Sequence, residues 1–308
     1  MMQAAAVPAT VNEIVGDPLT AVLGCDDAVL AIITAITGPS YRPLGEMMAF
    51  CGDRQIGSLS SGCIEADLAR HSRCALSNGP LRLRYGEGSP WLDLSLPCGG
   101  GLEITLIPRP CPKLLADIAT ARAARQPAAL CVMPDLDLRR CEPGPTGPVP
   151  DGFRIALIPP PRFLIFGQGP EAVVFAGLVR AAGYSHLVLA PDAETLAQAK
   201  AQGCATRPLH WPALPADLEI DNRSAVVLFF HDHDWEPPIL ARALASPSFY
   251  IGAQGSRRAR DMRLDRLRQL GVADGLDRLH GPIGLIASAR DPKVLPVSVL
   301  AEVLDKAS

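Results

Sequence analysis

Two cysteines sit where a thiol could do chemistry. Cys63 closes Ser60-Ser61-Gly62-Cys63, where an apolar stretch has ended and a helix is due to begin. The first N–H groups of a helix lack intrahelical partners, and the macrodipole there favours the anionic form of a thiol. Gly62 beside it lets a ligand approach the backbone closely. The plainer reading of Cys63 is a small buried cysteine at a tight turn. Cys98 precedes Gly99, Gly100 and Gly101. Either the glycines leave the backbone open to a ligand, or they form a hairpin turn with an incidental thiol.

Three further stretches offer polar groups to an anion or a metal. Gly167-Gln168-Gly169-Pro170-Glu171-Ala172, between an apolar strand and a helix, has the Gly-x-Gly-x-x-Ala spacing of a dinucleotide-binding turn. The acid expected at the end of the second strand is absent, since Ala190 stands there. Asp192, two residues on, has a competing role as a helix N-cap. Tight NAD(P) binding is therefore doubtful, and another phosphate at the same helix start is the better expectation. Tyr250-Ile251-Gly252-Ala253-Gln254-Gly255-Ser256-Arg257-Arg258 places glycines and a serine at a strand-to-helix turn. That is an anion-receiving nest, with Arg257 the arginine nearest it. The other arginines of that helix read as a solvated face. His231-Asp232-His233-Asp234 follows a buried strand, at the edge where open α/β sheets bind ligands. Neighbouring residues on an extended chain point to opposite sides, so this run favours a ligand contact through His231 and Asp232 over a metal site.

These residues need elements to hold them. Short apolar runs at 29–37, 46–50, 102–107 and 128–133, the alternating segments 81–85 and 92–96, and helices at 64–76 and 112–125 indicate an α+β domain over residues 1–145. Residues 1–20 read as frayed or as a short helix. The seven prolines between Cys141 and Pro161 indicate a linker, taken as 146–161. Beyond it, from 162 to 308, strands and helices alternate, the pattern of a Rossmann-like doubly wound parallel sheet.

Composition narrows the function. With 29 basic and 32 acidic residues the net charge is −3, which argues against a general nucleic-acid binder. The longest apolar run, 28–36, is far too short to span a membrane. The start lacks a signal-peptide pattern, and nine cysteines are scattered without CxxC pairs, so a reducing cytoplasm is expected.

Ser40-Tyr41-Arg42-Pro43-x-Gly45-x-Met47, followed by Gly57-x-x-Ser60-x-Gly62-Cys63-Ile64-Glu65, resembles the signature of the XdhC/CoxI family. Cys98-Gly99-Gly100 with Glu103 beyond it, the His231-Asp232 run with Glu236 beyond it, and Tyr250-Ile251-Gly252 leading to Gly255-Ser256-Arg257 are similar to that family in the same order. His280-Gly281-Pro282-Ile283-Gly284-Leu285 and Ala301-Glu302 continue the likeness, while Ala289-Arg290-Asp291-Pro292 departs from it. The resemblance implies a cytoplasmic chaperone without turnover chemistry. It would bind molybdenum cofactor in its molybdopterin form, shield it while a cysteine desulfurase supplies a sulfido ligand, and deliver it to an apo xanthine-dehydrogenase-type enzyme. Its site would draw on Arg42, Gly62, Cys63, Glu65, Cys98, Gly99, Gly167, Gly169, His231, Asp232, Gly255, Ser256 and Arg257, in a crevice between the domains. Molybdenum is thiophilic, so Cys63 and Cys98 are the candidate metal contacts. His280 is open between a capping donor and a ligand contact, and a homodimer is expected. The rivals are a nicotinamide-dependent oxidoreductase, a sulfurtransferase acting through Cys63, and a scaffold without a ligand.

Overall fold

An apolar run without polar alternation has to be covered on both faces, and Ala28–Thr37 is such a strand. Ala28, Leu30 and Ile32 enter one buried cluster, while Val29, Ala31 and Ile33 enter another. The computed structural model describes residues 11–13, 16–89, 96, 97, 99–232, 234–287, 289 and 291–307. It divides into two units, Met1–Pro159 and Pro160–Ser308.

The first unit contains β1 (Val11–Glu13), α1 (Pro18–Val22), β2 (Ala28–Thr37), β3 (Met47–Cys51), β4 (Arg54–Ile56), α2 (Glu65–Asn78), β5 (Leu81–Gly86), β6 (Gly101–Pro108) and α3 (Pro112–Ala123). It continues with β7 (Ala128–Val132), β8 (Leu138–Cys141), β9 (Gly147–Val149) and β10 (Gly152–Leu157). Strands β1 to β6 form one sheet in the order β1-β4-β3-β2-β6-β5, antiparallel apart from the β1–β4 pair. Strands β7 to β10 form a second, antiparallel sheet in the order β8-β7-β10-β9. One face of the first sheet carries α2 through Leu68 and Ala75. The other packs on the second sheet and on α1 and α3, through Leu130, Phe153, Ile155, Leu115 and Ile118.

The linker reading of 146–161 is corrected here. Residues 147–149 and 152–157 are strands, and Phe153, Ile155 and Leu157 are buried in the core of the unit. The prolines are compatible because Pro148 lies exposed on β9, an edge strand, where its missing N–H is not needed. The sequence reading of 92–96 as a strand falls almost wholly outside the described residues.

The second unit contains β11 (Arg162–Gly167), α4 (Pro170–Ala181), β12 (Ser185–Ala190), α5 (Ala193–Ala201), β13 (Thr206–Pro208), β14 (Ser224–Phe229), α6 (Glu236–Leu244) and β15 (Tyr250–Ala253). It ends with α7 (Arg257–Gln269), a single 3-10 turn at Leu276–Arg278, β16 (Leu279–His280) and α8 (Val294–Ala307). All six strands are parallel, in the order β13-β12-β11-β14-β15-β16. That is the 3-2-1-4-5-6 order of dinucleotide-binding folds, with the switch point between β11 and β14. Phe163, Ile165, Val227 and Phe229 face α4 and α8, whereas Leu164, Phe166, Val226 and Leu228 face α6 and α7.

Candidate functional site

The carboxyl edge of the parallel sheet opens into a pocket of about 730 Å³, bounded by the starts of α4 and α7 and by residues 282–287 and 289. Gly255, Ser256 and Arg257 form one wall. Ser256 is the N-cap of α7 and accepts a hydrogen bond from the Ala259 amide at 3.2 Å. The first turn of α7 carries no acid. Its free amides and Arg257 therefore offer an anion a positive terminus with no competing carboxylate on that helix turn. Ile283, Leu285, Ile286 and Leu295 supply an apolar wall.

Glu171, the second residue of α4, also lines this pocket. Its side chain is only 13% exposed, and its Oε2 is buried without a hydrogen-bond partner. His231 Nε2 lies 3.6 Å from Oε2. A buried polar atom without a partner is costly, so this oxygen is an acceptor waiting for a donor.

The walls are held from behind. Arg263 on α7 pairs with Glu236 on α6 through Nε–Oε2 at 2.7 Å and Nη2–Oε1 at 3.0 Å, with both side chains at most 1% exposed. Arg263 Nη2 also donates to the Gln254 carbonyl at 2.7 Å. This fork fixes the strand-to-helix turn that presents Gly255 and Ser256. On the other side Glu302 of α8 accepts from the Tyr250 hydroxyl at 3.0 Å and from the Gly284 amide. Ser298 Oγ accepts from the Ile286 amide at 2.6 Å. One face of α8 thus shapes the pocket loop. His280 stacks on Tyr250 at 4.6 Å and lies 3.5 Å from Glu302, away from the pocket lining. Burial holds the His280 imidazole below its usual value, with Glu302 pulling the other way.

Gly167 and Gly169 do not line the pocket. Gly167 has φ +150, and a Cβ on it would come within 2.5 Å of the Phe229 carbonyl of the adjoining strand. Glycine is required there by the sheet itself. The Gly169 amide donates to Thr195 Oγ1 at 2.9 Å, and Asp192 Oδ1 caps α5 by accepting from the Thr195 amide at 2.7 Å. A donor that a dinucleotide would use is thus already engaged, and Asp192 spends Oδ1 on the helix cap while its Oδ2 is buried without a hydrogen-bond partner. Asp232 is exposed and outside the lining. Its Oδ1 accepts from the Asp234 amide at 3.1 Å, a local turn. His233 lies outside the described residues. Glu236, the possible stand-in for the family's acid, is the buried partner of Arg263 and no ligand contact.

In the first unit, Cys63 is exposed at the tip of the loop between β4 and α2, which corrects the buried-cysteine reading. Beside it Gly62 has φ +110 and open space around it. Glu65, expected among the cofactor contacts, organises this loop instead. Its Oε1 accepts from Ser58 Oγ at 2.8 Å and from the Leu59 and Ser60 amides at 3.1 and 2.8 Å. Its Oε2 accepts from Ser60 Oγ and from the Gly62 and Ile64 amides. Burial pushes the Glu65 carboxyl up, but these hydrogen bonds, led by those from Ser60, bring it down to about 2. The amides that would have served a ligand near Cys63 are largely taken by this carboxylate.

Arg42 follows β2, and its Nε is buried without a hydrogen-bond partner. Nearby Glu46 is raised by burial, with the Arg42 charge opposing. Glu103 accepts from Thr34 Oγ1 at 2.9 Å and lies 3.5 Å from Arg82. Cys98 lies outside the described residues, while Gly99 is exposed with nothing crowding it. At Gly100 a Cβ would fall 1.9 Å from the Pro39 carbonyl, so that glycine is needed for the approach of two chain segments rather than of a ligand. Among the described residues no group of three His, Cys, Asp or Glu side chains could hold a metal ion. No helix among them is long and apolar enough to cross a membrane.

Within the second unit the structure therefore brings His231, Gly255, Ser256 and Arg257 together in one pocket, while Gly167, Gly169 and Asp232 do not line it. The sequence reading missed Glu171 and the pocket residues 282–287 and 289. Glu171 was visible inside the glycine fingerprint, as a carboxylate where a pyrophosphate would have to sit.

Comparison with known proteins gives this geometry a lineage. Residues 26–86 match the XdhC and CoxI family, and residues 163–303 match the XdhC Rossmann domain. The molybdenum cofactor insertion chaperone PaoD of Escherichia coli (strain K12) is 36% identical over 283 residues, which is 90% of this chain and 82% of that protein. A Bacillus subtilis (strain 168) protein described as a probable xanthine dehydrogenase subunit is 25% identical, over 91% of this chain and 93% of that one. A crystal structure from Bacillus halodurans, described as a xanthine dehydrogenase, shares the fold with a TM-score of 0.75 over 94% of both chains, at 23% identity. With both family segments in place and a relative of this identity aligned nearly end to end, the chain belongs to the XdhC and CoxI family.

Proposed function

We propose that this chain is a molybdenum cofactor insertion chaperone. It holds the cofactor, shields it while a sulfido ligand is installed with a cysteine desulfurase as sulfur source, and hands it to an apoenzyme of the xanthine dehydrogenase type. The kinship with PaoD supports the class of function. The observation that carries the reading to a site is the pocket at the sheet edge. It joins an acid-free helix start and Arg257 to an apolar wall and an unpartnered carboxylate oxygen.

That set fits a phosphorylated flat heterocycle. The α7 amides and Arg257 would hold the phosphate, and Ile283, Leu285 and Ile286 would cover the ring faces. When bound, the cofactor supplies the molybdenum centre that the recipient enzyme uses. The chain's own part is to bind, orient and keep water away. In the first unit Cys63, an exposed thiol, is the proposed soft ligand for molybdenum, with Cys98 as the second candidate. Arg42, with its unpartnered Nε, is a candidate donor in the same unit. No turnover step is assigned to any residue. A homodimer in the cytoplasm belongs to the same proposal.

Protein purified from cofactor-replete cells should carry close to one molybdopterin per chain or per dimer. It is measured as pterin fluorescence after denaturation and oxidation. The Cys63→Ala variant should keep its melting curve and lose most of that signal. Pterin no higher than in an unrelated protein from the same cells would overturn the reading.

A further inference from the structure

The phosphate end of the proposed ligand has obvious donors, but the donor set says nothing about which heterocycle is held. That choice falls to the rest of the lining. Glu171 presents a buried, unpartnered carboxylate oxygen there, with His231 Nε2 at 3.6 Å. Glu171 sits in the first turn of α4, where a carboxylate is favourably placed. A carboxylate takes two parallel N–H donors side by side best of all. A pterin offers such a pair on its pyrimidine edge, the 2-amino group and the neighbouring N3–H.

We propose that Glu171 is the specificity-determining residue of the pocket, reading the 2-amino/N3–H edge of a pterin and rejecting pteridines that carry an oxygen at position 2. The inference rests on the pocket being the cofactor site but goes beyond that reading, because a pocket that merely held the phosphate would be indifferent to that edge. A 2-oxo group would set one oxygen against another across the carboxylate, leaving a desolvated acceptor unpaired. Sites built to hydrogen-bond a group reject analogues lacking it far more strongly than apolar pockets reject a change of size. His231, exposed and at the rim, is placed to flank the same carboxylate without filling it.

The test compares 6-hydroxymethylpterin with 6-hydroxymethyllumazine, which differ at position 2, by fluorescence titration of the full chain and its Glu171→Gln variant. The wild type should bind the pterin at least about tenfold more tightly than the lumazine. Glu171→Gln offers one donor and one acceptor, so its pterin affinity should fall by about tenfold or more while lumazine binding holds or improves. Such a selective loss of preference is not produced by loosened packing. A thermal melt matched to wild type accompanies it. Equal affinities in the wild type, a preference unchanged in Glu171→Gln, or no binding of either probe to the wild type would each overturn the role of Glu171. Molybdopterin retained by the wild type, alongside any of these, would leave the chaperone reading standing. Absence of retained molybdopterin would remove that reading separately.

Discussion

At the scale of single residues, Glu65 carries the clearest energetic consequence. Its carboxylate gathers hydrogen bonds from Ser58, Leu59, Ser60, Gly62 and Ile64, and so sets the shape of the loop that exposes Cys63. Its folded value, about 2, lies below the usual 4.5. A depressed carboxyl stabilises the fold fully above the unfolded value, and that stabilisation is lost as pH falls from about 4.5 toward 2. With the group half-buried, solvent screening reduces the contribution to on the order of 2 kcal/mol. Glu65→Gln turns one acceptor into a donor facing other donors. At pH 7 it should melt lower by roughly 5 °C, and the gap to wild type should close as pH approaches 2. Equal melting at pH 7, or parallel acid profiles, would show the loop to be held otherwise. The sequence marked Glu65 by its place in the motif, but spacing alone could not tell a ligand contact from a loop anchor. That depends on six donors contributed by backbone and serines folded around it.

At the scale of elements, most strands and helices were legible because their patterns were strong. The β2 run and the β11–α4 turn fall within a residue or two of expectation. The failure at β9 and β10 is equally physical. A proline-dense stretch reads as linker unless one knows that its prolines fall on an edge strand and in turns, while Phe153, Ile155 and Leu157 alternate inward between them. Burying three such side chains is worth about 1.5–3 kcal/mol each, comparable in sum to the stability of a domain. Replacing residues 146–157 by a Gly/Ser segment of equal length should therefore unfold the first unit. Limited proteolysis would show residues 1–159 digested while 160–308 survive. A protected first unit would restore the linker reading.

At the scale of the whole molecule, the second unit has the strand order of a dinucleotide-binding protein while its binding turn is otherwise employed. Fold and function separate here. Glu171 adds negative charge where a pyrophosphate would sit, and Ala190 lacks the ribose acceptor. Calorimetric titration with NAD should show no binding at micromolar concentrations. A dissociation constant in the low micromolar range, about −7 to −8 kcal/mol, would reverse the assignment. The α/β class was readable from alternation alone, but the pocket was not, since its lining comes from segments more than a hundred residues apart. Gly167 has a longer-term consequence. The Phe229 carbonyl would strike any side chain at that position whether or not a nucleotide were ever bound. Such a glycine is required whether or not the activity it is usually taken to announce is present. A fingerprint of this kind reports the scaffold, and the hydroxyl of Thr195, which accepts from the Gly169 amide, tells that this donor is closed to a guest.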